Sequence, residues 1–487
     1  MDRRFSHGLR RMSEGFLQIA ATDRLLDLHD VGMHNVMSEY NLDVKALNAA
    51  ETEAALGPPR RKLTYLETKE KISSKFALIN LMKGMLGAGC FSVPLAFKQS
   101  GYAVGLGIIS ILGLLSALCM IKLVKCSAYL SNKQSSAPLD YGNMAYKATK
   151  ASFKPLHKIA PFSRLIVNVA LCVLQLGICC VFYIFVVYHS HELLELFLES
   201  PPTRETLFPI LLPFFILLCS LSSMRALSLV SLFGNLLMII ALGLIMFELF
   251  TTTHKNLSDL PAVTDLPGVV TAAGDVLYAL EGQAMVLPLE NRMKRPQDMT
   301  GPCGVLSIGV GTVVVIYAIA GFFGFLAYGD DVHDTITLNL PNSTLGIFVK
   351  AILLLVVYTG FLIQIFPIVA MIWPMLKRKL QRSCGVSPTT KRICHFGLRY
   401  FIVFLVFFLA YAIPRLSDMV PLVGVTAGML LALVFPSLFH MLIFLPQFKF
   451  SVPNVCDLIF DAFCITLGTF FVVYGLITNL QQLSRHL

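Results

Sequence analysis

Two short stretches hold the residues whose types and spacing could do chemistry. "KGMLGAG", Lys83 to Gly89, sets Gly84, Gly87, Ala88 and Gly89 just after a single cation. "DVLYALEG", Asp275 to Gly282, brings Asp275, Tyr278, Leu280 and Glu281 up to a glycine. Both lie in apolar sequence that otherwise favours helix. Glycine costs about 1 kcal/mol against alanine inside a helix, so glycines grouped in this way interrupt it. An interrupted helix frees N–H groups, which seat a carboxylate, and carbonyls, which seat a cation. A carboxyl beside the break can also exchange a proton. The chemistry on offer is the binding of a small carboxylate-bearing ligand together with a proton or metal cation. Bond-making chemistry is not indicated. No nucleophile–base set stands in the apolar segments, and no Cys or His pattern has zinc spacing. Neither a metal site nor a cofactor is therefore expected, and the chain does not read as an enzyme.

The elements that position these residues follow from composition. Of 487 residues, 56% are hydrophobic and only 14% charged, with a mean hydropathy of +0.71. A soluble chain would carry about a quarter charged residues. Apolar runs near the ~20 residues that cross a bilayer recur throughout, so the fold class is an all-α polytopic membrane protein. Eleven spans are expected, near 76–100, 102–126, 164–190, 207–223, 226–250, 267–289, 301–327, 345–374, 396–414, 418–445 and 455–478. The first 70 residues show no secretory leader, so the first span would direct insertion. Of the 39 Lys and Arg residues, 32 fall in segments on the side of the N-terminus or at the span ends that border them, and 4 on the other side. That asymmetry places the N-terminus in the cytoplasm. Asn256 and Asn342 head glycosylation triplets, and both fall in outside loops. The net charge of +10 resides in the inner loops; it indicates contact with anionic lipid and not a nucleic-acid partner. The twelve cysteines lie within spans or on the inner side, so no outside disulfide is expected, and Cys179 and Cys180 read as packing residues.

Both glycine interruptions fall inside spans, the first and the sixth, which run in opposite directions. Matching interruptions in two oppositely oriented five-helix halves suggest an inverted repeat with its ligand site at the bilayer midplane. The eleventh span is then surplus. Close helix packing is the competing use of small residues, and three glycines in six residues exceed what one packing face needs.

Four stretches carry a family resemblance: "NLMKGMLGAGCFSVPLAFKQSGY" from Asn80, "QLGICCVFYIFV" from Gln175, "LYALEGQAMVLPLENRMKRP" from Leu277 and "AIPRLSDMVPLVG" from Ala412. Together they resemble the proton-coupled amino acid transporter branch of the amino acid/auxin permease family, over residues 75 to 480. "VLPLENRMK" is the most specific element. The resemblance implies a LeuT-type fold of five plus five helices plus one, and secondary active transport of small amino acids, often driven by protons. Three features depart from the family pattern. Asn80 stands where the family often has His, Ala370 stands where it often has Glu, and the outside-loop disulfide is missing. The first two leave the coupling ion open between H+ and Na+.

The substrate-binding candidates are accordingly Gly84, Gly87, Ala88, Gly89, Tyr278, Leu280 and Gly282, with Tyr183 and Gln175 expected to face the cavity. Leu280 stands where the family commonly has Phe. The coupling or gating candidates are Glu281, Asp275, Lys83 and Thr359. Glu281 reads as a proton acceptor or as a cap on the broken backbone, and Asp275 as a gating group or a solvated rim acid. Lys83 reads as a latch pairing with a carboxylate or carbonyl. The Thr359 hydroxyl would face the span 1 carbonyls if a sodium site exists. Glu290 and Lys294, four apart, read as a surface pair. Residues 1–72 form a polar cytoplasmic tail, 73–480 the transport domain, and 481–487 a short outside end. The stretch 139–150 reads as a helix at the inner mouth. The reading is a proton-coupled secondary active transporter of small amino acids, working by alternating access around broken spans 1 and 6, in the plasma or lysosomal membrane, in contact with lipid and of open oligomeric state. A sodium-driven or uncoupled carrier, and a transporter-like sensor signalling through the tail, remain the alternatives.

Overall fold

The computed structural model describes residues 71–134, 139–221, 224–383, 388–448 and 450–486. The tail readings for residues 1–70 lie outside these. The described residues are helical apart from short connections, and an isolated bridge between Ile72 and Met293 is the sole β feature among them.

The first span is built in two pieces, α1 (Ser74–Met85) and α2 (Val93–Ser100), joined by a 3-10 turn over Ala88–Ser92 and bent by 52°. Pro94 sits in the first turn of α2, where its missing N–H has no helical partner to lose. Gly101 then turns the chain with φ +85°, a conformation that favours glycine. The next helix, α3 (Tyr102–Gln134), crosses back. The amphipathic α4 (Tyr141–Ala151) is capped by Asp140 and buries Met144, Ala145 and Ala148. It is followed by α5 (Ala160–Phe197), α6 (Arg204–Cys219) and α7 (Met224–Thr251). The sixth expected span is also in two pieces, α8 (Leu266–Ala279) and α9 (Gln283–Arg292). After α10 (Val305–Tyr328), α11 (Thr344–Ser383) and α12 (Pro388–Ala412) comes a composite rod. The rod comprises α13 (Leu416–Val423), two π-helical turns over Gly424–Gly428 and Leu430–Val434, and α14 (Phe435–Phe444). The last helix, α15, runs Val452–His486, so residues 481–486 are helical.

By length and composition, eight described helices can cross a membrane, or nine when the bent α1–α2 pair counts as one span. Eleven were expected. The two that fall short are α6, at 16 residues, and the α8–α9 pair, at 14 and 10 residues around its break. The chain is a multi-pass integral membrane protein. Outward-facing Phe401, Phe408, Ile459 and Val473 present the apolar surface that lipid requires.

The α8 helix is central, packed against α2, α3, α13, α15 and the first π turn. Gly274 and Gly424 allow backbone to lie on backbone there. A Cβ on Gly274 would stand 2.6 Å from the Pro421 carbonyl oxygen, so the two segments meet without side chains between them. The most apolar span of α15 is only 17% buried, so that helix leans on the outside of the bundle.

The Glu290–Lys294 pair does not form. The α9 helix ends at Arg292, leaving Lys294 exposed outside it, while Glu290 turns inward to 6% exposure, toward Ser127.

Candidate functional site

The two helix breaks face each other. In span 1, α1 closes with the Leu86 N–H on the Met82 carbonyl at 2.8 Å, after which Gly87 is extended (φ −129°, ψ −167°). The Ser92 hydroxyl donates to the Gly89 carbonyl at 2.9 Å, tying off the following turn. In span 6, α8 closes with the Leu280 N–H on the Val276 carbonyl at 2.9 Å, and α9 restarts after Gly282. Three of the four glycines are contact points between the breaks. A Cβ on Gly84 would fall on the Met285 sulfur, and one on Gly282 would lie 2.7 Å from Met85 Cγ. One on Gly89 would lie 2.7 Å from the Ala279 Cα and 3.2 Å from the Tyr278 ring. Gly87 differs: a Cβ there meets nothing within 4 Å. The open space beside the span 1 break is at Gly87.

Several buried polar atoms on the two interrupted spans lack protein partners. Asn80 Nδ2, Glu281 Oε1, Gln283 Oε1 and both Asp275 carboxylate oxygens are buried and form no hydrogen bond of normal geometry. Each such group costs about 1–3 kcal/mol, and clusters of them mark sites under functional demand. Gln283 holds its position by donating to the Ser116 hydroxyl at 2.9 Å. The fully buried Tyr317 of α10 donates its hydroxyl to the Met85 carbonyl at 2.6 Å, and the Gly87 N–H faces the same phenol oxygen. One side chain thus engages both a freed acceptor and a freed donor of the span 1 break.

The coupling and gating candidates occupy distinct places. Glu281 faces the Ala284 N–H at the start of α9, the position of a cap on the broken helix. Asp275 is 0% exposed, approached by Gln99 and Asp334, so it does not sit on a hydrated rim. Among the described residues Lys83 has no ion-pair or hydrogen-bond partner, so the expected latch is not formed. Thr359 departs from its expected place as well. Its hydroxyl donates to the Leu355 and Val356 carbonyls of its own helix, and the residue faces Gly234 of α7, away from span 1.

Of the cavity candidates, Tyr278 and Leu280 are buried at the break, 5% and 1% exposed. Tyr183 is not at the cavity. Its ring stacks on Phe208 and Phe215, and its hydroxyl donates to the Phe208 carbonyl at 2.6 Å. Gln175 bonds to Gln364, joining α5 to α11. Asn256 and Asn342 are exposed in connecting segments. The sequence reading missed Tyr317 and the π turns of span 10. Tyrosines are usually packing residues, so Tyr317 carried no local signal, whereas the glycines of "VPLVGVTAG" hinted at the close approach to Gly274.

Residues 70–481 match the family model described as transmembrane amino acid transporter protein. Among known proteins, the chain is 30% identical over 450 residues to the probable amino acid transporter skat-1 of Caenorhabditis elegans, covering 91% of this chain and 95% of that one. It is 29% identical over 372 residues to the proton-coupled amino acid transporter-like protein pathetic of Drosophila melanogaster, covering 75% and 76%.

Proposed function

The chain belongs to the transmembrane amino acid transporter family, and from that premise we propose that it is a proton-coupled carrier of small amino acids working by alternating access around its two helix breaks. The observation that carries this reading is the open space at Gly87 between two facing breaks, on spans that also hold buried polar atoms without protein partners. The substrate carboxylate sits at the freed N–H groups of Ala88 and Gly89, beside the open space at Gly87, and its side chain lies against Leu280 and Tyr278. Amino acid transport is the family's activity and involves no covalent chemistry. The finer assignments are ours: eleven crossings in a five-plus-five repeat with α15 surplus, a cytoplasmic N-terminus, and glycans on Asn256 and Asn342.

Proton coupling is favoured over sodium by two features, one at the span 1 break and one on α11. Tyr317 takes the Met85 carbonyl that a cation would otherwise use, and the Thr359 hydroxyl bonds to its own helix. The proton is then carried by the span 6 carboxyls, Glu281 and Asp275, because Asn80 cannot titrate. Glu281 links the two events. It stands at the break, so its protonation changes the cap on α9 in the same place where substrate binds.

The test is uptake of labelled amino acids by purified protein in proteoliposomes, under a pH gradient and separately under a sodium gradient. Accumulation driven by the pH gradient supports the reading. Accumulation driven by sodium at fixed pH, or binding without flux, contradicts it.

A further inference from the structure

Charge is unevenly distributed at the end of the bundle where α11 closes and α12 opens. Gln175 pairs with Gln364, and Tyr183 packs on Phe361 and Phe407, so the start of α5 lies at this same end. The α6 helix finishes there too, where the Cys219 and Leu221 carbonyls accept from the Arg399 guanidinium at 3.1 and 2.9 Å. The Trp373 and His395 rings, 4.9 Å apart, set the last turns of α11 beside the first turns of α12. The helices α5, α6, α7, α11 and α12 pack together on this side of the bundle.

These helices bring cations to this end and no counter-charge. The cations include Arg164 on α5, Lys379 on α11, and Lys391, Arg392 and Arg399 on α12. Residues 141–191, 206–247 and 335–417 contain no Asp or Glu. The nearest acids along α5, α6 and α7, namely Glu192, Glu195, Glu205 and Glu248, stand toward the opposite ends of their helices. Elsewhere in the bundle, by contrast, Lys122 of α3 meets Asp457 and Asp461 of α15. Lys377 and Arg378 are engaged, but among the described residues Arg164, Lys379, Lys391 and Arg392 have no ion pair or hydrogen bond.

Apolar neighbours fix the depth of these cations. Phe162 and Leu165 flank Arg164, Ile393 follows Arg392, and Met375 stands one turn before Lys379; all four are exposed. The cations therefore stand where lipid-facing surface gives way to water, the level of phospholipid head groups. Each Lys or Arg near that level favours an anionic lipid by about fivefold.

We propose that the face formed here by α5, α11 and α12 is a binding site for anionic phospholipid, with Arg164, Lys379, Lys391 and Arg392 on its head group. Arg399, 3% exposed, adds its charge from within. The site stands whether or not the transport reading does.

Trp373 is the chain's one tryptophan, so its fluorescence reports on lipid at this face. Full-length protein is reconstituted in phosphatidylcholine vesicles in which a minor fraction is brominated phosphatidylserine or, separately, brominated phosphatidylcholine, bromine being a contact quencher. At equal fraction the phosphatidylserine should quench Trp373 more strongly, and high salt should narrow the difference. Lys379→Gln and Arg392→Gln, at exposed positions, should each lower the preference about fivefold with an unchanged unfolding midpoint. Arg204→Gln, at the opposite end of α6, should leave it as in wild type. The proposal is overturned if the two lipids quench alike, if Lys379→Gln and Arg392→Gln keep the wild-type preference, or if Arg204→Gln lowers it as much as they do.

Discussion

Gly87 and Gly89 stand two residues apart in one motif, yet substitution should affect them in different ways. At Gly89 an added Cβ lies 2.7 Å from the Ala279 Cα, which is backbone and cannot swing aside. Overpacking of that kind costs about 1–3 kcal/mol, so Gly89→Ala should lower the thermal midpoint and the amount of protein recovered. At Gly87 nothing lies within 4 Å, and φ −129° suits any residue. Gly87→Ala should therefore fold as wild type or slightly better, since alanine restricts the unfolded chain. Its methyl group enters the space assigned to the substrate carboxylate. Losing one charge-assisted hydrogen bond of about 1.5–3 kcal/mol raises KM by about 10- to 150-fold. Gly87→Val should abolish measurable uptake. The assay is concentration-dependent uptake of labelled substrate, normalised to protein in the membrane, with the unfolding midpoint of each variant alongside. Wild-type KM in Gly87→Val, at normal protein level, would refute the placement of substrate at this break.

Removing the phenol hydroxyl in Tyr317→Phe should leave the Met85 carbonyl and the Gly87 N–H unengaged; the unfolding midpoint falls and KM, in uptake normalised to protein in the membrane, rises by about tenfold, for about 1.4 kcal/mol, and an unchanged KM would exclude Tyr317 from shaping the site. Glu281→Gln keeps the shape of the protonated acid, so substrate should still bind while pH-driven accumulation is lost; retention of the driving force would make Glu281 a cap alone. Asp275→Asn, at a fully buried acid, should also weaken pH-driven accumulation, checked as uptake against outside pH. Thr359→Ala should leave uptake and its response to sodium unchanged, because the hydroxyl serves its own helix.

The helical spans and both breaks were legible because hydrophobic runs and grouped glycines act locally. A run of twenty apolar residues, or a glycine cluster within one, carries its meaning wherever the helix packs. What could not be read was the direction in which a residue points within the bundle. Thr359 and Tyr183 lie on helices that the sequence placed correctly, but their faces depend on how α11 and α5 are rotated against their neighbours. The sequence holds no local mark of that rotation. Gly87 and Gly89 looked equivalent for the same reason, since only the apposition of α8 makes one a contact and leaves the other open. The Glu290–Lys294 spacing suited a helix that ends two residues too early to use it. Tyr317 acts across 232 residues of sequence on Met85, and nothing near it in the chain signals that role.

Under the proposed function, protons drive amino acid movement through the paired breaks. The most direct measurement uses purified protein in proteoliposomes, with pH set independently on each side, sodium absent and a panel of labelled amino acids. Accumulation above equilibrium should follow the pH gradient, stay unchanged when sodium is added, and collapse in Glu281→Gln. Accumulation that needs a sodium gradient, and persists in Glu281→Gln, would contradict that reading.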